Sequence, residues 1–221
     1  FKFTFWAIFI FWVGFGLMAQ PSVTQVLTWL HSLLFKWEWD LFLSDPFLFL
    51  YWIFIFVTIF LFGRGLFCGW TCPFGSIQEG LHKIAGATPL KRYQFLPPKW
   101  LHDRLKWIKY AVFFGLVVVS LFSMGLAEKL AEVEPFKTTF LVGITKRSWP
   151  FATFVLVILG LSIFIERPYC KYVCPLGASI AMPTTFRWFG LRRKADCNTC
   201  KACAKGCGSL AIDADGRIDQ R

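Results

Sequence analysis

Long apolar stretches without charged residues alternate with short charged segments along this chain. A helix needs about 17 to 25 residues to cross the roughly 30 Å hydrocarbon core of a bilayer. Pro, Gln, Asp, Glu or Arg residues lie close to the stretches, as expected where a helix begins or ends. The pattern therefore predicts four membrane-spanning helices, which are Phe3–Ala19, Phe47–Phe62, Tyr110–Ala127 and Ser148–Ile165.

A shorter apolar stretch, Val23–Phe35, lies between the first two predicted spans. It carries His31 and is followed by the charged sequence 36–40, which contains Trp37 and Trp39. Tryptophan is enriched where a membrane meets water. We therefore expect an interfacial helix with a tryptophan anchor, not a fifth span.

Lysine and arginine are distributed unevenly among the loops. They are concentrated in the segment after the second predicted span and in the tail after the fourth, whereas segments 20–46 and 128–147 balance them with acidic residues. Cytoplasmic segments retain positive charge. We therefore predict a multi-pass protein of the bacterial inner membrane, with its basic segments in the cytoplasm and segments 20–46 and 128–147 outside.

Composition agrees with a membrane protein, since 56% of the 221 residues are hydrophobic and the mean hydropathy is +0.54. The formal net charge of +11 comes from basic residues in the loops, so it argues for membrane topology and against a nucleic-acid partner. The chain begins with Phe1 inside an apolar stretch. We expect it to be part of a longer protein.

An internal repeat follows the second and fourth predicted spans. Residues 67–75 contain Cys68, Cys72 and Pro73, and residues 169–177 contain Cys170, Cys174 and Pro175 in the same spacing, Cys-x3-Cys-Pro-x-Gly. Two helical hairpins related by an axis along the membrane normal would bring both turns together. The predicted fold is thus an all-α membrane protein with about four transmembrane helices in two repeated hairpins, over residues 1–190.

The remaining four cysteines form a run in the tail, residues 191–221, and they are Cys197, Cys200, Cys203 and Cys207. This is the spacing of a bacterial ferredoxin, in which the first three thiolates hold one [4Fe–4S] cube and the fourth ligates another cluster. A structural zinc site is the alternative, although zinc cysteine pairs usually lie further apart. Disulfides fit poorly with a cytoplasmic, reducing location. The sequence predicts a partial ferredoxin-type segment.

Residues 210–218 follow the tail cysteines and contain two short apolar runs around the turn sequence Asp215-Gly216. An Asp-Gly pair between apolar runs predicts a β-hairpin. Such a hairpin separates the two cysteine runs of a two-cluster ferredoxin, so we expect the second run beyond Arg221.

The two Cys-x3-Cys-Pro pairs leave three interpretations open. Cysteines four residues apart lie on one helical face, and four thiolates brought together could bind copper(I) or an iron–sulfur cluster. The pairs could instead be redox-active thiols, or serve structure alone. On the first interpretation the metal ligands are Cys68, Cys72, Cys170 and Cys174.

Other candidate groups give weaker signals. His31, His82 and His102 are all predicted in loops outside the four spans, so no intramembrane histidine pair is available for a haem. Arg64 and Arg167 precede the two cysteine pairs, and their side chains are expected to reach the lipid headgroups or to stabilise a thiolate.

Segments 45–52, 64–79, 102–110 and 169–177 together resemble the membrane part of the NosR/NirI family, which is associated with nitrous oxide reductase. The resemblance implies a periplasmic flavin (FMN) domain before this chain, two Cys-x3-Cys-Pro motifs, and a cytoplasmic two-cluster ferredoxin domain. It assigns Cys68, Cys72, Cys170 and Cys174 to the membrane motifs. It assigns the tail cysteines, Cys197 to Cys207, to the first ferredoxin run.

These observations favour a component of an oxidoreductase system that transfers electrons through [4Fe–4S] clusters, and not a self-contained enzyme. By resemblance, a quinol or cytoplasmic donor would supply electrons for a periplasmic acceptor such as nitrous oxide reductase, or the protein would support that enzyme's maturation. Quinol dehydrogenase subunits of the NapH type and copper-handling assembly proteins of the CcoG type share the paired motifs and are the alternatives. A redox-signalling role would require a DNA-binding partner.

Overall fold

The computed structural model describes residues 2–16, 21–35, 37, 39, 46–143, 146, 148–190, 202–205, 207, 210–212 and 218. Within them the α-helices are α1 (Lys2–Phe9), α2 (Val23–Phe35), α3 (Pro46–Phe62), α4 (Pro73–Gly86), α5 (Lys99–Leu105), α6 (Ile108–Phe122), α7 (Met124–Ala131), α8 (Trp149–Phe164), α9 (Pro168–Tyr172), α10 (Pro175–Ala181) and α11 (Ala202–Lys205). Wider π-helical turns occur at Ile10–Gly16, Phe67–Thr71 and Lys137–Val142, and 3₁₀ turns at Pro89–Tyr93 and Pro183–Phe186. The described part of the chain contains no β-strand, so the helical fold class is confirmed there.

The predicted spans correspond to apolar helices, but their lengths differ. The helical stretch Lys99–Phe122, formed by α5 and α6, is long and apolar enough to cross a membrane. Three further apolar helices, Lys2–Gly16, Pro46–Phe62 and Trp149–Phe164, are shorter. The predicted third span, Tyr110–Ala127, is interrupted because Ser123 is extended, with φ −157° and ψ 109°, and ends α6.

The outward faces of these helices are strongly apolar. The side chains of Phe11, Phe122 and Trp149 are 70%, 87% and 80% exposed, respectively. Exposed apolar surface this extensive is unusual for a soluble monomer and typical of a surface that contacts lipid or another protein.

Helix α2 has the predicted bounds but is more deeply packed than an interfacial helix. Its residues Val23 and Leu27 are buried, whereas Leu33 and Phe35 at its other end are exposed. The buried face contacts α6, α7 and α10. Alanines on α7 make the close approach possible, since Ala127 and Ala131 lie in the same apolar cluster.

Packing of the helices repeats between the two halves of the chain. Helix α4, which follows the first cysteine pair, packs against Ile10–Gly16 of its own half and against α8 of the other half. Helix α10, which follows the second pair, packs against α6, and the adjoining Pro183–Phe186 turn packs against α3. The helix after each cysteine pair thus contacts the first apolar helix of its own half. The same helix, or the turn that adjoins it, contacts the second apolar helix of the opposite half.

The larger apolar cluster lies around the cysteine pairs. Its buried members come from both halves and include Trp52, Ile59, Phe67, Phe74, Phe140, Ile158, Tyr169 and Leu176. Cys72 belongs to the buried set, and the other three cysteines of the two pairs pack against it. The core of the fold and the candidate site are therefore the same region.

Candidate functional site

In the first motif, each cysteine has a distinct backbone setting. Cys68 lies in the π-helical turn Phe67–Thr71, and Cys72 is the residue before the first turn of α4. Pro73 occupies that first turn, where its missing N–H has no helical partner to lose. The backbone N–H groups of Gly75 and Phe74 lie near the Cys72 thiol and oppose the rise of its pKa, although the thiol forms no capping hydrogen bond.

The second motif repeats this arrangement. Cys174 precedes α10, Pro175 occupies its first turn, and the Cys174 Sγ accepts a hydrogen bond of 3.2 Å from the Gly177 N–H. Helix amino-terminal N–H groups favour negative charge. The Cys-Pro-x-Gly sequence therefore places a sulfur where the backbone can stabilise a thiolate, as it does at reactive and metal-binding cysteines.

The glycine at the third position after each second cysteine lies against that cysteine's sulfur and against a backbone carbonyl oxygen. A Cβ on Gly75 would lie 3.1 Å from the Cys68 carbonyl oxygen and 3.6 Å from the Cys72 Sγ. A Cβ on Gly177 would lie 3.6 Å from the Cys174 Sγ and 3.7 Å from the Cys170 carbonyl oxygen. In both motifs a sulfur and a carbonyl oxygen thus lie close to the glycine, and the carbonyl oxygen is closer in the first motif.

The two motifs are in contact with each other. Arg167, just before the second pair, donates from Nη1 to the Cys68 carbonyl oxygen at 2.6 Å. Gln78, on α4 after the first pair, donates from Nε2 to the Cys170 Sγ at 3.7 Å. Each half of the chain therefore contributes a side chain to the cysteine pair of the other half, as the predicted hairpin repeat requires.

Burial keeps the four thiols protonated in the absence of a metal, and repulsion from other cysteines adds to the effect at Cys72, Cys170 and Cys174. Burial raises the pKa of Cys68, Cys170 and Cys174, and it raises the pKa of Cys72 to about 11. The positive charges of Arg64 and Arg167 oppose that rise at Cys68. A thiol in such a site becomes a thiolate when a cation replaces its proton, which is how metal binding couples to deprotonation.

A buried carboxylate, Glu79, connects this region to the amino-terminal helix. It forms ion pairs with Lys2 at 2.9 Å, with Lys83 at 2.6 Å, and with Arg167. Burial alone would raise the pKa of Glu79, but the hydrogen bond from Lys83 and the charges of Arg167 and Lys2 outweigh it. The pKa of Glu79 therefore lies below its ordinary value.

Two buried polar atoms at the motifs lack a protein partner. They are the Gln78 Oε1, on a residue with no exposed surface, and the Arg167 Nε. Four soft thiol ligands with unused polar groups around them fit a metal–sulfur centre. Among the described residues, however, no three Cys, His, Asp or Glu side chains converge on a single metal ion. A cluster, in which each thiolate takes a different iron, needs its thiolates further apart than one ion does.

The segment after α7, predicted to be an external loop, folds back into the bundle. Phe136, Thr138 and Phe140 are buried, and the Lys137–Val142 turn contacts α8. Glu134 accepts hydrogen bonds from the Val23 N–H at 3.0 Å and from the Ser22 hydroxyl. Its charge also acts on Cys174. Residues predicted for opposite sides of the membrane thus approach each other at the cysteine pairs.

The tail is described only in part. Cys197 and Cys200 lie outside the described residues, whereas Cys203 is exposed and Cys207 is partly buried. Cys207 lies close enough to Lys171 to affect the pKa of that lysine, and Lys171 stands next to Cys170. A single antiparallel bridge joins Ile212 to Ile218, as a hairpin would require, although its turn lies outside the described residues.

His82 and His102 were wrongly predicted to lie in loops, because both are on helices, whereas His31 lies on the helix expected from the apolar stretch Val23–Phe35. His31 on α2 contacts the ring of Phe35, with centroids 4.5 Å apart. The His82 Nδ1 lies 3.5 Å from the Gln94 amide nitrogen, and the His102 Nδ1 lies 3.1 Å from the Tyr172 hydroxyl. These three settings are separate and give no haem-ligand pair.

Sequence reasoning gave no role to Gln78, Glu79 or Lys109. A polar residue on a short helix, or a lysine at the start of an apolar helix, usually faces water or headgroups. Only the packing of α4 and α6 shows that these side chains are buried. For Arg167, the structure favours a position beside the cysteines over one at the lipid headgroups, since its side chain is only 13% exposed.

Residues 44–93 and 148–194 match the family model of a 4Fe-4S binding domain. These two ranges contain the two Cys-x3-Cys-Pro motifs and the helices that precede them. No solved structure matches the chain significantly.

Among curated proteins, the regulatory protein NosR of Pseudomonas aeruginosa is 44% identical over 96% of this chain and 30% of its own length. The protein NirI of Paracoccus denitrificans is 44% identical over 94% of this chain and 30% of its own length. The putative electron transport protein YccM of Escherichia coli is 30% identical over 75% of this chain and 47% of its own length. The chain thus spans about a third of the length of NosR and NirI.

Proposed function

Over the stretch that it shares with them, this chain belongs to the NosR/NirI family, and from that premise we propose that it carries electrons through iron–sulfur centres in the inner membrane. One centre would be held by Cys68, Cys72, Cys170 and Cys174, between the two halves. A second would begin in the tail with Cys197, Cys200 and Cys203, and Cys207 would ligate a further cluster.

The observation that carries this proposal is the contact between the two cysteine motifs. Both pairs lie in one apolar cluster with side chains reaching across from the opposite half. The match to a 4Fe-4S binding domain covers both motifs. A cluster with one thiolate per iron agrees better with the described residues than a single copper ion does.

The surroundings of the cysteine pairs support transfer across the membrane. Cys207 of the tail lies near Lys171, which is next to Cys170. Glu134, from the segment predicted to lie outside, is near enough to Cys174 for its charge to act on that thiol. With four spans and a cytoplasmic tail, electrons from a quinol or cytoplasmic donor would pass the cysteine pairs on the way to a periplasmic acceptor. Because NosR and NirI are relatives, that acceptor would belong to nitrous oxide or nitrite reduction.

Metal analysis of the full-length protein, purified without oxygen, tests this proposal. We expect iron and acid-labile sulfide in equal amounts, as a [4Fe–4S] cluster contains. Replacement of Cys68 or of Cys170 by Ser should remove the same spectroscopic signal, because both halves supply one centre. The tail signal should persist in both variants and disappear in Cys203→Ser.

Absence of iron and sulfide from the wild-type protein would refute the proposal. Stoichiometric copper that disappears in Cys68→Ser, without loss of iron, would indicate a copper-handling function of the membrane motifs instead.

A further inference from the structure

Lys109 is a buried lysine whose charge acts on a cysteine of each pair. It stands near the start of α6, and only 4% of its surface is exposed. Helix α6 packs against α9, which contains Cys170, and against α10, which begins after Cys174. The charge of the Lys109 ammonium interacts both with Cys68 of the first motif and with Cys174 of the second. One cation is therefore shared by the two halves of the site.

No carboxylate of the described residues forms an ion pair with Lys109. Its ammonium has a ring contact with the neighbouring Tyr110, 5.1 Å from the centroid, which gives only a modest attraction. Arg64 adds a second positive charge in the vicinity. A buried ammonium without a counter-charge is costly, so buried charges are normally paired or bound to a metal site. The position of Lys109 thus requires a negative partner at the cysteines.

We propose that Lys109 is the counter-charge of an anionic metal–thiolate centre held by Cys68, Cys72, Cys170 and Cys174, and that it raises the reduction potential of that centre. The inference rests on the proposed function. Four thiolates outweigh the positive charge of an iron–sulfur core, so the centre is negative, and reduction adds one further electron. A nearby cation stabilises the reduced, more negative state more strongly. Lys109 is a positioning residue that acts through the field at the centre.

Two substitutions separate the charge of Lys109 from its shape. Lys109→Met keeps the length and apolar stem without the charge, whereas Lys109→Arg keeps the charge. Lys106→Met is the matched control, since Lys106 stands one turn earlier on the same stretch and pairs with the exposed Asp103 at 3.0 Å. The measurements are iron and sulfide content and a redox titration of the centre in the full-length protein, followed by its paramagnetic signal.

We expect the reduction equilibrium constant in Lys109→Met to fall at least tenfold, equivalent to 59 mV for one electron. Lys109→Arg and Lys106→Met should keep the wild-type potential. Loss of iron in Lys109→Met alone would also support the inference, because charge would then be needed to hold the centre. The inference would be overturned if Lys109→Met kept both the wild-type iron content and the wild-type reduction potential. It would also be overturned if Lys109→Met and Lys109→Arg lost iron, or lowered the potential, to the same extent. Failure of the proposed function would give a different result, because the wild-type protein itself would then contain no iron–sulfur centre.

Discussion

Glu79 pairs with more basic side chains than any other acidic residue of the described site. Three cations pair with it, from α1, from α4 and from the segment before α9. Removing one partner of a buried ion pair leaves the other buried and uncompensated. For Glu79 the uncompensated group would be Arg167, which also holds the Cys68 carbonyl.

We therefore expect Glu79→Gln to lower the free energy of unfolding by about 3 kcal/mol, measured by thermal unfolding in detergent at neutral pH. Glu128→Gln, at an exposed position, should change it little. The folded-state pKa of Glu79 is depressed, so its stabilising effect is complete above its ordinary pKa and is lost as the pH falls through the lower folded value. The difference between wild type and Glu79→Gln should accordingly shrink in acid.

Gly75 and Gly177 offer a matched pair, because they occupy equivalent positions of the repeat. Replacing a helical glycine by alanine usually stabilises a protein by about 0.4 to 1 kcal/mol. Gly177→Ala should approach that benefit, since its Cβ would meet neighbours at ordinary distances. Gly75→Ala should instead destabilise the fold, since its Cβ would lie 3.1 Å from backbone. Thermal unfolding of both variants compares them, and equal effects would contradict the argument.

The cysteines of the site and their spacing could be predicted from the sequence, but the burial and pairing of the charged side chains around them could not. The Cys-x3-Cys-Pro repeat predicted two turns that come together, and Gln78 and Arg167 now connect them. Burial of Lys109 and the pairing of Glu79 depend on residues far apart in the chain. A local pattern has no information about such contacts, and a charged residue near an apolar helix is normally expected to face headgroups.

At the scale of elements, apolar periodicity placed the helices well and their ends less well. The bounds of α2 and α3 follow the apolar stretches closely. The third span was misplaced because Ser123 ends α6 within an apolar sequence, where no proline or charge marks the break. The buried turn after α7 was missed for a related reason, since the charges of Glu134 and Lys137 mark it as a loop.

Glu134 holds together elements from the two halves. Its carboxylate accepts hydrogen bonds from the Val23 N–H and the Ser22 hydroxyl at the start of α2. We expect Glu134→Ala to lower the free energy of unfolding by about 2 kcal/mol, because it leaves a buried N–H unsatisfied. Glu134→Gln keeps an acceptor oxygen for that N–H and should cost less. Hydrogen exchange of the α2 amides would locate the change, and equal effects of both variants would contradict this role.

At the scale of the whole molecule, the two halves differ in length but share one plan. In each half an apolar helix is followed by a shorter buried element, a second apolar helix, and a cysteine pair at the start of a further helix. Pairing α4 with α8 and the Pro183–Phe186 turn with α3 ties each half to the other. A centre between the halves would therefore depend on the integrity of both.

The four-span topology gives opposite locations to two exposed residues that suit labelling, Lys91 and Glu128. Lys91 follows the second predicted span among basic residues, whereas Glu128 follows the third among balanced charges. If cytoplasmic segments retain the positive charge, Glu128→Cys should react with an impermeant maleimide in intact spheroplasts. Lys91→Cys should react only after the membrane is opened. The unsubstituted protein measures any background from Cys203, which is exposed. Reaction of Lys91→Cys from outside, or equal labelling of both positions, would refute this topology, because an odd number of membrane crossings must separate the two residues.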